Sequence, residues 1–241
     1  MKISIIIPAF NEEKLIGNTL RRITSAGKVF SELGWESELI VCDNNSTDRT
    51  AELAQAAGAR VVFEPVNQIA RARNKGAEAA SGDWLLFIDA DSHPQPELLA
   101  DVVAAIESGR YLAGGSTARL DASPLVGRLL VRGWNLLSRC TKLLAGSFIF
   151  CETAAFRQIG GFSLALFVSE ELELSKRLKK LARQSGKKIV ILHRHPLTTS
   201  GRKFHLYSRW EHLRFLGKTA FGFGRTLKSA KECNIWYDGR R

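Results

Sequence analysis

The segment Trp84 to Ile88 narrows most what this chain can fold into: five consecutive apolar residues of strand length, with Asp89 directly after them. A strand with one wet face alternates apolar and polar residues, whereas a short unbroken apolar run belongs to a strand covered on both faces. Such cover comes from helices on either side of a sheet. The sequence around it agrees, because Ile3 to Ile7 closed by Pro8, Glu38 to Cys42, and Arg60 to Phe63 read as further strands. Helical segments fall between them. The first opens with Asn11 as its N-cap, the second starts near Ser46 or Thr47 and closes at Gly58, and an Ala-rich third runs from about Ile69 to Ala80. Strands alternating with helices predict a Rossmann-like α/β fold with a mostly parallel, right-handed doubly wound sheet flanked by helices.

Beyond Asp91 the register loosens. Pro94 and Pro96 open a helix toward Ser108, Tyr111 to Arg119 reads as a strand, and residues 124–145 look helical. With 241 residues and 45% apolar content there is material for one sizeable core and not for two ordinary domains. The expected organisation is therefore one domain over 1–200, with a regular half (1–95) and a less regular half (96–200), followed by a basic helical extension over 201–241. No apolar run approaches the roughly 20 residues of a spanning helix. The chain starts at Met1 and Lys2 and enters a strand at once, without the apolar stretch and cleavage site of a secretory leader. Cys42, Cys140, Cys151 and Cys233 form no CxxC pair, which suits reduced thiols and a cytoplasmic location.

The formal charge of +11 is unevenly divided. Residues 1–175 carry 17 Lys and Arg against 21 Asp and Glu, while residues 176–241 carry 18 against 3. A basic C-terminal quarter suits an anionic partner: substrate phosphates, acidic lipid head groups or nucleic acid. Nucleic acid is not expected, because the acidic residues of the first half, Asp43, Asp48, Asp89 and Asp91, would repel a polyanion. A dinucleotide-dependent oxidoreductase is disfavoured because the first strand is followed by Pro-Ala-Phe-Asn and not by a Gly-rich phosphate loop.

In an open α/β sheet, ligands bind beyond the carboxyl ends of the strands, so the residues just after each strand carry the chemistry. Here they are Pro8, Ala9, Phe10, Asn11 and Glu12, then Asp43, Asn44, Asn45, Ser46, Thr47 and Asp48, then Asp89, Ala90 and Asp91. Asp89 and Asp91, two carboxylates at i and i+2 beyond a buried strand, are hard oxygen ligands suited to Mg²⁺ or Mn²⁺ bridging to a diphosphate. An Asp-rich turn is the plainer alternative.

Taken in order, Ser4-Ile5-Ile6-Ile7-Pro8-Ala9-Phe10-Asn11-Glu12-Glu13, Val41-Cys42-Asp43-Asn44-Asn45-Ser46-Thr47-Asp48, Ala72-Arg73-Asn74-Lys75-Gly76 and Asp89-Ala90-Asp91 resemble the family 2 glycosyltransferases of the GT-A fold. That resemblance implies a transferase using a nucleotide-diphosphate sugar, with residues 1–95 as the nucleotide-sugar-binding half and residues 96–200 as the acceptor-side half. It places Pro8, Ala9, Asn11, Glu12, Asp43 and Asn45 around the nucleoside, with Asp43 accepting from a uracil or guanine ring. Arg73, Asn74 and Ala90 would lie near the donor, Asp91 would be the main metal ligand, and Asp89 would sit nearer the ribose or sugar. Gly160-Gly161-Phe162, and Phe167-Val168-Ser169-Glu170-Glu171-Leu172-Glu173-Leu174 after it, resemble the family's acceptor-side segment. There an acidic pair opens a helix and the second acid is the general base. That position is Glu171 here, beside Glu170, where the family has Asp. The implied chemistry is inverting transfer to an acceptor hydroxyl, with a sugar-nucleotide-binding protein lacking turnover as the alternative. In the late region, His193 would join the metal, and Arg202 and Lys203 would meet the diphosphate. The acceptor stays open, a lipid-linked one included.

From Val126 to Leu144, helical geometry places Arg128, Arg132, Arg139 and Lys142 on one face and Val126, Leu130, Trp134, Leu137 and Leu144 opposite. A cationic amphipathic helix of this kind can lie in a membrane interface. The preferred expectation is that its apolar stripe covers the protein's own sheet.

Overall fold

A computed structural model of the chain describes residues 1–121 and 125–201. Its elements run β1 (Lys2–Ala9), α1 (Ile16–Glu32), β2 (Glu36–Asp43), α2 (Thr50–Ala56), β3 (Arg60–Phe63), α3 (Ile69–Ala79), β4 (Trp84–Ile88), β5 (Ser92–His93), α4 (Pro96–Glu107), β6 (Tyr111–Leu120), α5 (Leu125–Thr141), β7 (Phe148–Glu152), α6 (Thr153–Gln158), α7 (Glu170–Gln184) and β8 (Lys188–Thr199). One eight-stranded sheet has the order β3-β2-β1-β4-β7-β6-β8-β5.

All five residues of β4 are buried, and the period-two alternation of a strand sends them to two different cores. Leu86 and Ile88 join Ile5 and Ile7 under Leu20, Ile23 and Val102 of α1 and α4. Leu85 and Phe87 join Ile6 and Ile40 under Ala70, Phe156 and Leu174 of α3, α6 and α7. The three-layer arrangement thus follows from the absence of polar alternation in the central strands.

The chain winds β1, β2 and β3 in one direction and then places β4 on the other side of β1, all parallel. Because the strand order reverses at β1, a crevice opens beyond the strand ends there. Register aligns the tips: Ala9 pairs with Asp43, and Ile6 with Phe87, so Asp43, Asp89 and Asp91 all lie at one edge of the sheet. The parallel expectation holds for these four strands and again for β6 beside β8. β7 runs antiparallel to β4 and β6, and β5 antiparallel to β8, so the sheet is mixed. Strand β6 passes beside Phe150 of β7 only because Gly114 has no side chain; a Cβ there would come within 2.4 Å of that ring.

The first helix begins later than an Asn11 cap would set it. Asn11 has a left-handed backbone (φ 52°) and α1 opens at Ile16. Helix α3 lies close against β1 through Gly76, whose missing Cβ would sit 2.4 Å from Cγ2 of the buried Ile6. Gly to Ala in a helix interior is ordinarily stabilising by about 0.5–1 kcal/mol. Here Gly76→Ala is expected to have the opposite sign, costing about 1–3 kcal/mol through overpacking, and a urea midpoint equal to or above that of wild type would contradict the close packing.

Candidate active site

Two loops make one side of the crevice, and hydrogen bonds zip them together. The Asn11 amide N–H donates to Ser46 Oγ, and Asn11 Oδ1 accepts from the Thr47 amide at 2.8 Å. The Glu12 amide donates to Thr50 Oγ1 and the Glu13 amide to Asp48. Burial opposes the charge on Asp48, but hydrogen bonds from the Thr50 hydroxyl and from the Glu13 and Thr50 amides outweigh it and hold the carboxyl below its usual range. Asn11 and Asp48 are therefore committed to loop structure. Asp43, buried at the β2 tip, accepts from the Ser46 amide through Oδ1, and buried Pro8, Ala9 and Glu12 lie on the β1 side of the same crevice. Asn45 projects from the loop with a left-handed backbone (φ 65°).

The centre of the site is Arg73. It is almost fully buried, and its guanidinium donates from Nη1 to Glu170 Oε1 at 2.6 Å and from Nη2 to Asp89 Oδ1 and the Gly146 carbonyl, both at 2.9 Å. Burial works against the positive charge, yet Asp89, Glu170 and Glu171 outweigh it and hold the guanidinium protonated. The Phe162 ring lies 5.2 Å from the guanidinium carbon, a cation–π contact. Phe162 is fixed in turn by Asn74, whose Nδ2 donates to the Phe162 carbonyl and whose Oδ1 accepts from its amide. Asn74, expected near the donor, thus uses one amide N–H and its carbonyl oxygen on protein backbone. Gly161 permits the clamp: its φ is +68° and a Cβ would come within 2.6 Å of Asn74 Oδ1.

Helix α7 opens with Glu170, Glu171 and Glu173 in its first turn, at the positive end of its dipole. Burial pushes Glu170 upward despite its bond to Arg73. Half-buried Glu171 is packed closely by protein, and that desolvation, followed by the charge of Glu170, pushes its carboxyl up to about 8. Buried Ser175 pins this turn, accepting from the Leu144 amide and donating to the Glu171 carbonyl. Buried Gln68 donates from Nε2 to the carbonyls of Leu164 and Leu166 at 2.9 Å each, fixing the loop before α7. Neither Gln68 nor Ser175 carries a sequence signal, because Gln68 and, through the Leu144 amide, Ser175 reach backbone groups far away in the chain.

Asp91 is half-buried at the β4 tip, and its carbonyl accepts from the Ser200 amide. Ala90 is buried and its carbonyl accepts from Thr19 Oγ1. Asp89 and Asp91 fit a hard cation such as Mn²⁺ or Mg²⁺ in donor chemistry. Among the described residues no three His, Cys, Asp or Glu side chains gather into a metal cage, so a cation here would take its remaining oxygens from diphosphate and water. His193 is placed elsewhere, lining a cavity with Thr117, Arg132 and Arg139. The 199–201 segment does reach the site, since Ser92 Oγ donates to Thr199 Oγ1. Arg202 and Lys203 lie outside the described residues. Cys42, next to Asp43, is pushed up to about 12 by burial and then by Glu64, so it supplies no thiolate.

Comparison with known proteins matches this arrangement. Residues 4–158 fit the model of glycosyl transferase family 2, and the chain belongs to that family. It is 31% identical over 154 residues to a dolichol-phosphate mannosyltransferase of Pyrococcus furiosus, an alignment covering 58% of this chain and 41% of the relative, so the chain spans about two fifths of that relative's length. Among solved structures it resembles mannosyltransferase PcManGT from Pyrobaculum calidifontis in complex with GDP-Man and Mn²⁺ (TM-score 0.69, 18% identity, 96% of this chain and 64% of that one). It also resembles S. aureus TarS 1–349 (TM-score 0.66, 20% identity, 99% and 72%). A third likeness is glucosyl-3-phosphoglycerate synthase of Mycobacterium tuberculosis (TM-score 0.62, 22% identity, 97% and 80%). At these identities the structural likeness establishes the GT-A fold.

Two outcomes are expected. Removing the cation in Arg73→Met leaves the buried Glu170 carboxylate without its guanidinium and should cost about 3–5 kcal/mol in urea unfolding, part of it recovered in Arg73→Met/Glu170→Gln; no recovery would mean that the pair is not coupled. Because the folded state raises the Glu171 carboxyl from 4.5 to about 8, it holds a proton that the unfolded chain releases. Stability should therefore fall as pH rises between those values, and more steeply than in Glu171→Gln; parallel pH profiles would exclude the raised carboxyl.

Proposed function

We propose that the chain transfers a glycosyl group from a UDP- or GDP-sugar to an acceptor hydroxyl, with inversion at the anomeric carbon and assistance from Mn²⁺ or Mg²⁺. The observation that carries this reading is Arg73, whose guanidinium holds Asp89 from the β4 tip and Glu170 from the α7 start beside Glu171. Family membership supports the reaction class. That PcManGT was solved with GDP-Man and Mn²⁺ and the mycobacterial synthase with UDP and Mn²⁺ supports the donor type and the ion.

In this reading Asp43 accepts from the base of the donor, with Pro8, Ala9 and Glu12 around it. Asp91, with Asp89, faces the diphosphate. A divalent ion bound there supplies positive charge to the departing diphosphate and favours the ionised form of nearby carboxylates. Glu171 takes the acceptor hydroxyl proton as the new bond from the acceptor oxygen to the anomeric carbon forms and the bond to the diphosphate oxygen breaks on the opposite face. A base with a carboxyl near 8 removes that proton more readily than an ordinary carboxylate once it is ionised.

A second reading, a sugar-nucleotide-binding protein without turnover, is motivated by Glu171 standing where the family pattern has Asp. Both are tested by titrating the wild type with UDP and GDP in the presence and absence of Mn²⁺, and by screening sugar nucleotides for hydrolysis. Metal-dependent binding with turnover that falls by about a hundredfold to ten-thousandfold in Glu171→Gln, while binding is kept, is the expected result. Binding without turnover would favour the second reading, and absence of metal-dependent nucleotide binding would reject both.

A further inference from the structure

Helix α5 is packed with its apolar side out. Of its 17 residues only Gly127 and Ser138 are fully buried, and the side facing the protein is held by polar bonds. Half-buried Asn135 accepts from the Ala118 amide through Oδ1 at 3.0 Å and donates from Nδ2 to the Ala118 carbonyl at 2.9 Å. Ser138 Oγ donates to the Leu143 carbonyl. Leu125, Val126, Leu129, Leu130, Leu136 and Leu137 are each between 48% and 64% exposed. This overturns the expectation that the stripe covers the sheet: of the residues assigned to it, only Leu144, beyond the helix end, is fully buried.

At about 100° per residue the six exposed side chains and Cys140 form one continuous face opposite Asn135. Arg128, Arg132 and Arg139 run in a row along one flank of that face. They also line a cavity of about 780 Å³ between α5, β6 and β8, together with Arg119 and His193, against one carboxylate among the described lining residues, Asp121. An apolar face of this width on a described surface calls for a cover. The arginine row restricts what the cover can be: long cationic side chains beside leucines match the boundary between acyl chains and phosphate head groups.

We infer that α5 is an interfacial helix that docks this protein on an anionic phospholipid membrane, with the leucine face in the acyl boundary and the Arg128–Arg132–Arg139 row on lipid phosphates. No helix among the described residues is long and apolar enough to cross a bilayer, so the contact is lateral. The inference does not depend on the transfer chemistry and can fail without affecting it.

Cys140 provides the probe, being exposed on this face, whereas Cys42 and Cys151 are buried. Full-length protein is treated with a maleimide, alone and with vesicles of phosphatidylcholine or phosphatidylcholine with phosphatidylglycerol, and labelling at Cys140 is read by peptide mass spectrometry alongside vesicle sedimentation. The expected result is rapid labelling in solution, protection and sedimentation only with anionic vesicles, and loss of both at high salt. Leu129→Glu/Leu136→Glu, at exposed positions, should lower vesicle binding by at least about tenfold without changing the thermal midpoint. Slow labelling without vesicles would mean that residues 202–241 or a second copy covers the face and would overturn the inference. Failure of the wild type to sediment, or sedimentation undiminished in the leucine variant, would overturn it as well.

Discussion

The site depends on one guanidinium. Arg73 lies 16 residues from Asp89 and 97 from Glu170 in the chain, and without it two carboxylates from opposite halves of the domain would face each other in a poorly hydrated crevice. A buried ion pair of this kind is weak evidence for net stability, since desolvation offsets much of the Coulomb attraction. Its value lies in geometry. The planar fork fixes Asp89 and Glu170 at once, and the Gly146 carbonyl and the Phe162 ring fix the fork. The crowding of the crevice has a chemical consequence: burial first, and then the charge of neighbouring Glu170, leaves Glu171 with a proton affinity well above that of an ordinary glutamate.

That arrangement requires the two halves to meet at the strand-order reversal. The parallel order β3-β2-β1-β4 aligns the acidic tips, and antiparallel β7 then returns the chain so that α6 and α7 pack on the same face as α3. The aromatic cluster of Phe87, Phe156 and Phe162, with ring centroids 5.2–5.6 Å apart, joins a strand of the first half to the segment that supports Arg73. Core packing and site geometry are therefore one structure at this point.

The first half was legible in the sequence because its signals are local. β3 and β4 have the expected bounds, and α3 ends one residue earlier than expected. The strand-end motifs lie at one edge of the sheet, as open α/β topology requires. The departures are residues whose partners are remote. Asn11 reads as a cap, but it bonds Thr47 and takes a left-handed backbone. Asn74 reads as a residue near the donor, and its bond to the remote Phe162 carbonyl is not visible in the sequence. His193 suggests a metal ligand by its place in the chain, yet it falls inside the register shift between the Ser116–Leu192 and Ala118–Leu197 pairs of β6 and β8 and it lines a different cavity. Strand β5 is two residues long and carries no signal of its own, whereas Phe148 to Cys151 of β7 is a short apolar run of strand type in which nothing marks the antiparallel turn of direction.

Helix α5 illustrates why amphipathicity alone does not fix orientation. A helix packed on the face of a sheet meets side chains and buries its leucines there. This helix meets an edge. Strand β7 pairs with β6 only over Ala113 to Gly115, and at Ala118 both the amide and the carbonyl are taken by Asn135. An open backbone pair needs hydrogen-bond partners before it needs apolar cover, and an asparagine amide satisfies donor and acceptor together. With Asn135 directed inward by those bonds and Ser138 buried on the same side, the 3.6-residue period leaves the leucines no other direction than outward.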